Sequence, residues 1–240
     1  MPRKLHPDYR VILFDIDGTL LRATRGREYR ELIGRMLVNI FGTEGRLSEV
    51  DFSGRTDISI YREALESAGV DAALILRKAP DIEAASADII RRMSDAGDAF
   101  YLCNGVRNLL EAPQDEGRCV STVLTGNFET LANCKLQAVG IGSYFRVRGA
   151  YGSDHEDRNE LPAIAARRFR EQFGEPVPPW RMTIVGDTPR DIGCARHHGA
   201  RVVAVATGHH SMEQLRPCGP DALLPDLSRT DEVVQLLSSL

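Results

Sequence analysis

Val11 to Leu21 reads VILFDIDGTLL: four apolar residues run straight into two carboxylates, a glycine and a threonine. Val11, Ile12, Leu13 and Phe14 show no polar alternation, which predicts a strand buried on both faces of a parallel sheet. Asp15 falls where that strand ends. In open α/β sheets the carboxyl ends of the strands border the ligand crevice, so an acid here faces a site and not the core. Asp17 lies two residues on, Gly18 allows a turn that residues with a Cβ resist, and Thr19 adds a hydroxyl.

Beyond this strand the texture becomes helical. Tyr29, Leu32, Ile33, Met36, Leu37, Ile40 and Phe41 make one apolar stripe at helical spacing, closed by Gly42. Thr56 to Ala68 reads as a second helix with Thr56 as N-cap and Gly69 just past its end, and Ala72 to Lys78 and Ile82 to Met93 as two more. Arg22 to about Ala99 thus holds no convincing strand and reads as an inserted helical domain. Sheet texture resumes at Cys119 to Leu124, followed at once by Thr125, Gly126 and Asn127. A helix from Glu129 to Val139 ends at Gly140, the next strand is expected within Tyr144 to Ala150, and Pro162 suits the first turn of a helix from Glu160 to Phe173.

Met182 to Asp187 is another buried strand ending in an acid. Its helix, Arg190 to His198, stops at Gly199; Arg201 to Ala206 and Asp221 to Leu224 supply further strands, and Thr230 to Leu237 a closing helix. Repeated strand then helix means an α/β fold, a doubly wound parallel sheet with right-handed crossovers. The expected division is a core from residues 1–21 and 100–240 carrying a helical insert at 22–99.

The 240 residues suffice for such a core plus insert, and a net charge of −4 with 42% hydrophobic residues carries no basic excess. Nucleic acid and membrane surfaces are therefore not expected partners. Five scattered cysteines without a CxxC pair read as reduced thiols. The start, MPRKLHPDYR, is polar and no later segment could span a bilayer, so a cytoplasmic protein is expected. Two histidine pairs, His197 with His198 and His209 with His210, do not read as a metal site, because adjacent residues in a helix or strand point apart.

Three strands now end in polar chemistry: Asp15 with Asp17, Thr125 with Asn127, and Asp187 with Asp191 four residues later. Strands of a parallel sheet end on one edge, so these groups converge on one crevice. Singly, each acid reads as a loop residue or a helix N-cap. Together, in this order and after such strands, they mark a site.

DxDGT at Asp15 to Thr19, TGN at Thr125 to Asn127 and GDxxxD at Gly186 to Asp191 resemble the signature motifs of the haloacid dehalogenase-like hydrolase superfamily, and most of all its phosphoglycolate-phosphatase-like subgroup. The insert is similar to that superfamily's helical cap, and the core would be Rossmann-like. The resemblance implies that Asp15 is a nucleophile forming an aspartyl phosphate, and that Asp17 protonates the leaving alkoxide and then deprotonates water. It implies Mg²⁺ held by the Asp15 carboxylate, the Asp17 main-chain carbonyl and Asp187, with Asp191 behind them. Thr125 would hydrogen-bond the phosphoryl oxygens, helped by the Gly126 or Asn127 backbone. A carboxylate is a poor nucleophile towards a phosphate dianion, and a hard oxygen-ligated cation removes that repulsion. Asp17 must arrive protonated, which burial under a closed cap would favour.

One position departs from the family pattern. The superfamily usually has a lysine before the GDxxxD strand, where GSDHEDRNELP here has Arg158, a residue that keeps the charge and can grip phosphate in a bidentate way. Lys135, mid-helix beyond TGN, is the rival but reads as a solvated lysine, so Arg158 is preferred. Arg55, in the GRTD turn from Gly54 to Asp57, lies in a region that faces the core site in similar proteins; it could bind an anionic group of the substrate or be an ordinary exposed arginine. The expected protein is a Mg²⁺-dependent phosphatase of a small phosphorylated metabolite, acting as a monomer or homodimer. A phosphosugar mutase of the same superfamily is the runner-up. Outside enzymology stand a phosphate-accepting receiver domain, which needs neither Asp17 nor the insert, and a silent binding protein.

Overall fold

A computed structural model describes residues 5–112 and 118–240; Met1 to Lys4 of the polar start lie outside them. In chain order the elements are β1 (Arg10–Phe14), β2 (Leu21–Ala23), α1 (Gly26–Phe41), α2 (Asp57–Glu66), α3 (Ala72–Arg77), α4 (Ala79–Asp95), β3 (Phe100–Leu102), α5 (Val106–Glu111) and β4 (Cys119–Val123). There follow α6 (Glu129–Ala138), α7 (Leu161–Phe173), β5 (Met182–Gly186), α8 (Pro189–His198), β6 (Arg201–Val205), α9 (Met212–Leu215), β7 (Ala222–Leu224) and α10 (Thr230–Ser239).

The unbroken apolar strands do what their composition predicts. They form a five-stranded parallel sheet in the order β4-β1-β5-β6-β7, covered on both faces. Alternate residues supply the two sides. Ile12, Phe14, Val123, Val185 and Val203 pack with Leu109, Leu136, Val233 and Leu237 of α5, α6 and α10. Val11, Leu13, Ile184 and Val202 pack with Leu161, Phe169, Ile192 and Ala195 of α7 and α8. β1 is central, with Phe14 in register with Val123 of β4 on one side and Val185 of β5 on the other. The strands carrying the three motifs are therefore immediate neighbours.

The predicted helices of the insert form, and Gly42, at φ 78°, ends α1 in the left-handed conformation that glycine tolerates. Their apolar faces meet in a cluster of their own that includes Ile33, Leu37, Tyr61, Leu65, Ile82 and Ile90. Phe128 and Leu131, from the start of α6, complete it. At the root of the insert β2 and β3 pair antiparallel, Leu21 opposite Leu102 and Ala23 opposite Phe100. Strands of three residues are too short for an alternation to show in sequence, so this ribbon went unread.

The strand expected within Tyr144 to Ala150 does not form. Gly142–Tyr144 is a 3₁₀ turn, and only Ala150 reaches the sheet, through a single bridge to Leu124. Ala150 makes two main-chain hydrogen bonds there, to the Val123 carbonyl and from the Thr125 amide, both at 3.0 Å, and the Thr122 hydroxyl donates to the Val147 carbonyl at 2.7 Å. Among the described residues no helix is long and apolar enough to cross a membrane.

Ile184, fully buried at the middle of β5, tests how far the sheet depends on its filling. Ile184→Ala is expected to lower unfolding stability by about 2–5 kcal/mol, measured from urea denaturation, as truncation leaves an unfilled cavity between sheet and α8.

Candidate active site

Asp15 and Asp187 each follow the last residue of their strand, β1 and β5, so register alone places both at the carboxyl edge. The Asp15 amide donates to the Val185 carbonyl at 2.9 Å, continuing the ladder one step past β1. Gly18 lets the chain turn against Asp187: it sits at φ +91°, and a Cβ there would lie 2.4 Å from Asp187 Oδ2. Thr19 Oγ1 then donates to Asp187 Oδ1 at 3.1 Å.

Asp191 is fully buried in the first turn of α8. The Thr188 amide and hydroxyl both donate to its Oδ2, at 3.0 and 2.7 Å, which turns the carboxylate inward and fixes it in a capping box. One ligand oxygen from each of Asp15, Asp187 and Asp191 lies within 4.8 Å of the others. Arg158, in the 3₁₀ turn before α7, reaches this cluster: its Nη2 donates to Asp15 Oδ1 at 2.9 Å and to Asp191 Oδ1 at 2.5 Å.

Burial dominates the electrostatics. It pushes the Asp15 carboxyl up to about 7, against the pull of Arg158 and with a push from Asp191 and Asp17. It raises Asp187 well above the usual carboxylate range, with Asp191 and Asp15 adding to the effect. Burial opposes the charge of Arg158, but Asp191 and Asp15 more than offset it, so the guanidinium is held firmly protonated.

Thr125 and Asn127 are buried beside the same edge, the Asn127 amide donating to Thr125 Oγ1 at 3.3 Å, and Asn127 Oδ1 has no hydrogen-bond partner. Gly126 is where the insert touches the core: a Cβ there would lie 1.9 Å from the Arg55 carbonyl oxygen, and the Gly126 carbonyl accepts from the Asp57 amide at 2.8 Å.

Three expectations need correction. The Arg55 guanidinium does not turn to the carboxylates; it folds back along α2 onto Ser59 and Glu63, which capture it by short-range charge and hydrogen bonding. Asp17 is not sealed under the insert, because its side chain keeps 42% exposure while that of Asp15 keeps 5%. Lys135 is not solvated. It is 4% exposed, and its Nζ donates to Asp17 Oδ2 at 2.6 Å. The spacing carried this signal, since Lys135 falls on the α6 face marked by Leu131, Ala132 and Leu136, all buried.

A family model for haloacid dehalogenase-like hydrolases matches residues 12–196. The chain belongs to that family. The resemblance read from the three motifs is thereby borne out. A phosphoglycolate phosphatase from Synechococcus elongatus is 31% identical over 134 residues, which cover 56% of this chain and 59% of that protein, so the match spans less than two thirds of the relative. Among solved structures, a predicted phosphoglycolate phosphatase from Haemophilus somnus has a TM-score of 0.66 at 19% identity, covering 95% of this chain and 99% of that one. CbbY from Rhodobacter sphaeroides, solved in complex with phosphate, has a TM-score of 0.65 at 19% identity, covering 92% and 95%. At such identities the structural likeness establishes the haloacid dehalogenase-like fold.

Sequence reasoning also passed over Asp57, the first residue of α2. It is buried against the core, its Oδ2 accepting from the Phe128 amide at 2.8 Å, and burial lifts its carboxyl to about 7. The unfolded chain releases this proton near the ordinary value of about 4, whereas the folded protein holds it to about 7; stability therefore falls as pH rises between them. Asp57→Asn is expected to flatten the stability profile between pH 4 and 7 by up to about one proton, read from urea midpoints across that range.

Proposed function

We propose that this haloacid dehalogenase-like protein is a Mg²⁺-dependent phosphatase that hydrolyses a small phosphorylated metabolite, phosphoglycolate-like in size and charge, through an aspartyl phosphate on Asp15. The observation that carries the reading is the buried carboxylate cluster, three acids with ligand oxygens within 4.8 Å of one another.

The donor set fits a hard divalent cation. Arg158 serves Asp15 and Asp191, while the side-chain partner of Asp187 is the neutral Thr19 hydroxyl, so three buried acids face one guanidinium, and a divalent cation would favour their ionised forms. Asp15, Asp187 and the Asp17 main-chain carbonyl would hold the ion, with Asp191 shaping the cluster from behind. Bound, Mg²⁺ would neutralise the carboxylates and the phosphoryl oxygens together.

The chain's own groups then divide the work. Asp15 Oδ attacks phosphorus, forming one P–O bond as the ester P–O bond breaks. Asp17 gives its proton to the departing alkoxide. In the second half it takes a proton from water, whose oxygen attacks phosphorus and releases Asp15 and inorganic phosphate. Arg158 and the Thr125 hydroxyl supply positive charge and a donor to the phosphoryl oxygens, and the insert serves as a cap that limits water around them.

Asp15→Asn is expected to fold as the wild type and to lose turnover of p-nitrophenyl phosphate by about 10³-fold or more; near-normal turnover would refute the nucleophile assignment. A screen of phosphorylated metabolites with Mg²⁺ and with EDTA identifies the substrate. Mg²⁺ is also expected to raise the thermal midpoint of the wild type and to raise that of Asp187→Asn much less, a shift read by calorimetry without any turnover.

A further inference from the structure

Two cations flank the reaction centre, and they engage different acids. Arg158 enters from the 3₁₀ turn before α7 and holds Asp15 and Asp191. Lys135 enters from α6 and holds Asp17 through one oxygen, Oδ2, at 2.6 Å. Lys135 is the more buried partner of its pair, 5% against 42% for the two side chains, so it is the lysine that the fold fixes and the aspartate that it steadies.

The fold fixes it from both units. Leu131, Ala132 and Leu136 bury the α6 face that carries it. The Tyr29 ring, from α1 of the insert, lies 5.8 Å from Nζ. Asp57, from α2, is close enough that Lys135 is the strongest charge favouring its ionised form. A buried ammonium needs compensating charge and a polarisable wall; Asp17 supplies the charge, and the insert adds the Tyr29 ring and the Asp57 carboxyl when it is seated on Gly126 and Phe128. Asp17, by contrast, stands on the turn after β1 with half its side chain in water.

From this we infer that Lys135 is a positioning residue for Asp17: it clamps Oδ2 so that the other carboxyl oxygen is presented to the leaving-group oxygen of the substrate. The basic function near the phosphoryl group is thus split, with Arg158 on the nucleophile side and Lys135 on the proton-transfer side. The inference rests on the phosphatase reading above. It differs from a phosphate-gripping role in what it controls. Proton delivery needs the donor oxygen within hydrogen-bond reach of the leaving oxygen. An alkoxide cannot leave without that proton, whereas p-nitrophenolate can.

The test compares kcat and KM for p-nitrophenyl phosphate with those for 2-phosphoglycolate and glycerol phosphate, in Mg²⁺, for the wild type and Lys135→Met. It includes the inhibition constant of inorganic phosphate. The alkyl kcat is expected to fall at least about tenfold more than the aryl kcat, with KM and phosphate inhibition changing by less than about threefold. Lys135→Arg, which keeps a charged donor, is expected to recover part of the alkyl rate. Equal losses on both ester classes, a rise confined to KM, or weakened phosphate inhibition would assign Lys135 to phosphate binding and overturn the inference, as would no loss at all. If circular dichroism shows that Lys135→Met does not fold, the same ratio is read on Lys135→Gln, with the same outcomes deciding. Wild-type protein inactive on every ester would remove the phosphatase reading and this inference with it; wild-type turnover with an unchanged ratio in the variants removes this inference alone.

Discussion

Negative charge kept away from water is the constraint around which this molecule is arranged. Asp15 and Asp187 stand almost dry at the ends of neighbouring strands, with Asp191 beside them in the first turn of α8, and moving an ionised carboxylate out of water is costly unless something answers its charge. A single guanidinium nitrogen answers two of them. The Thr188 amide and hydroxyl answer Asp191 again, and a lone hydroxyl answers Asp187. What remains unanswered is the demand for a cation, and it is built into the strand order, because the pairing of β1 with β5 brings together acids more than 170 positions apart.

The insert is seated around this edge mainly by main-chain groups. Gly126 accepts from the Asp57 amide, the Thr56 hydroxyl donates to the Glu156 carbonyl at 2.6 Å, and Arg190 reaches back from α8 to the Ser53 carbonyl at 2.6 Å. Glu83 of α4 accepts from the Thr130 amide at 2.9 Å. Each of these bonds has a main-chain group on at least one side, and the Arg62–Glu156 and Arg190–Asp51 ion pairs add side-chain contacts across the same seam.

The legible part of the sequence was the part in which local pattern and tertiary role coincide. Asp15, Asp187 and Asp191 follow unbroken apolar strands, and a buried parallel strand leaves little choice about where its end points. Helix ends at Gly42 and Gly199 were equally plain, since a left-handed terminus asks for glycine. The illegible part was side-chain direction. Arg55 turns away because Ser59 and Glu63 lie within reach along α2, a competition that a motif reading does not weigh, and Lys135 turns inward on a buried helix face whose acid partner, Asp17, lies 118 residues away. The strand expected before Ala150 pairs with the sheet at Ala150 alone, while the Val147 carbonyl is held by the Thr122 hydroxyl.

The sharing of Phe128 and Leu131 between core helix and insert has a thermodynamic corollary. A rigid swing of the insert about the β2–β3 ribbon would strip both residues of their cover, and each large apolar side chain brought into water costs about 1.5–3 kcal/mol. Any such swing would carry that apolar cost in addition to the loss of the Arg62–Glu156 and Arg190–Asp51 ion pairs, so grease and charge both hold the insert against the core.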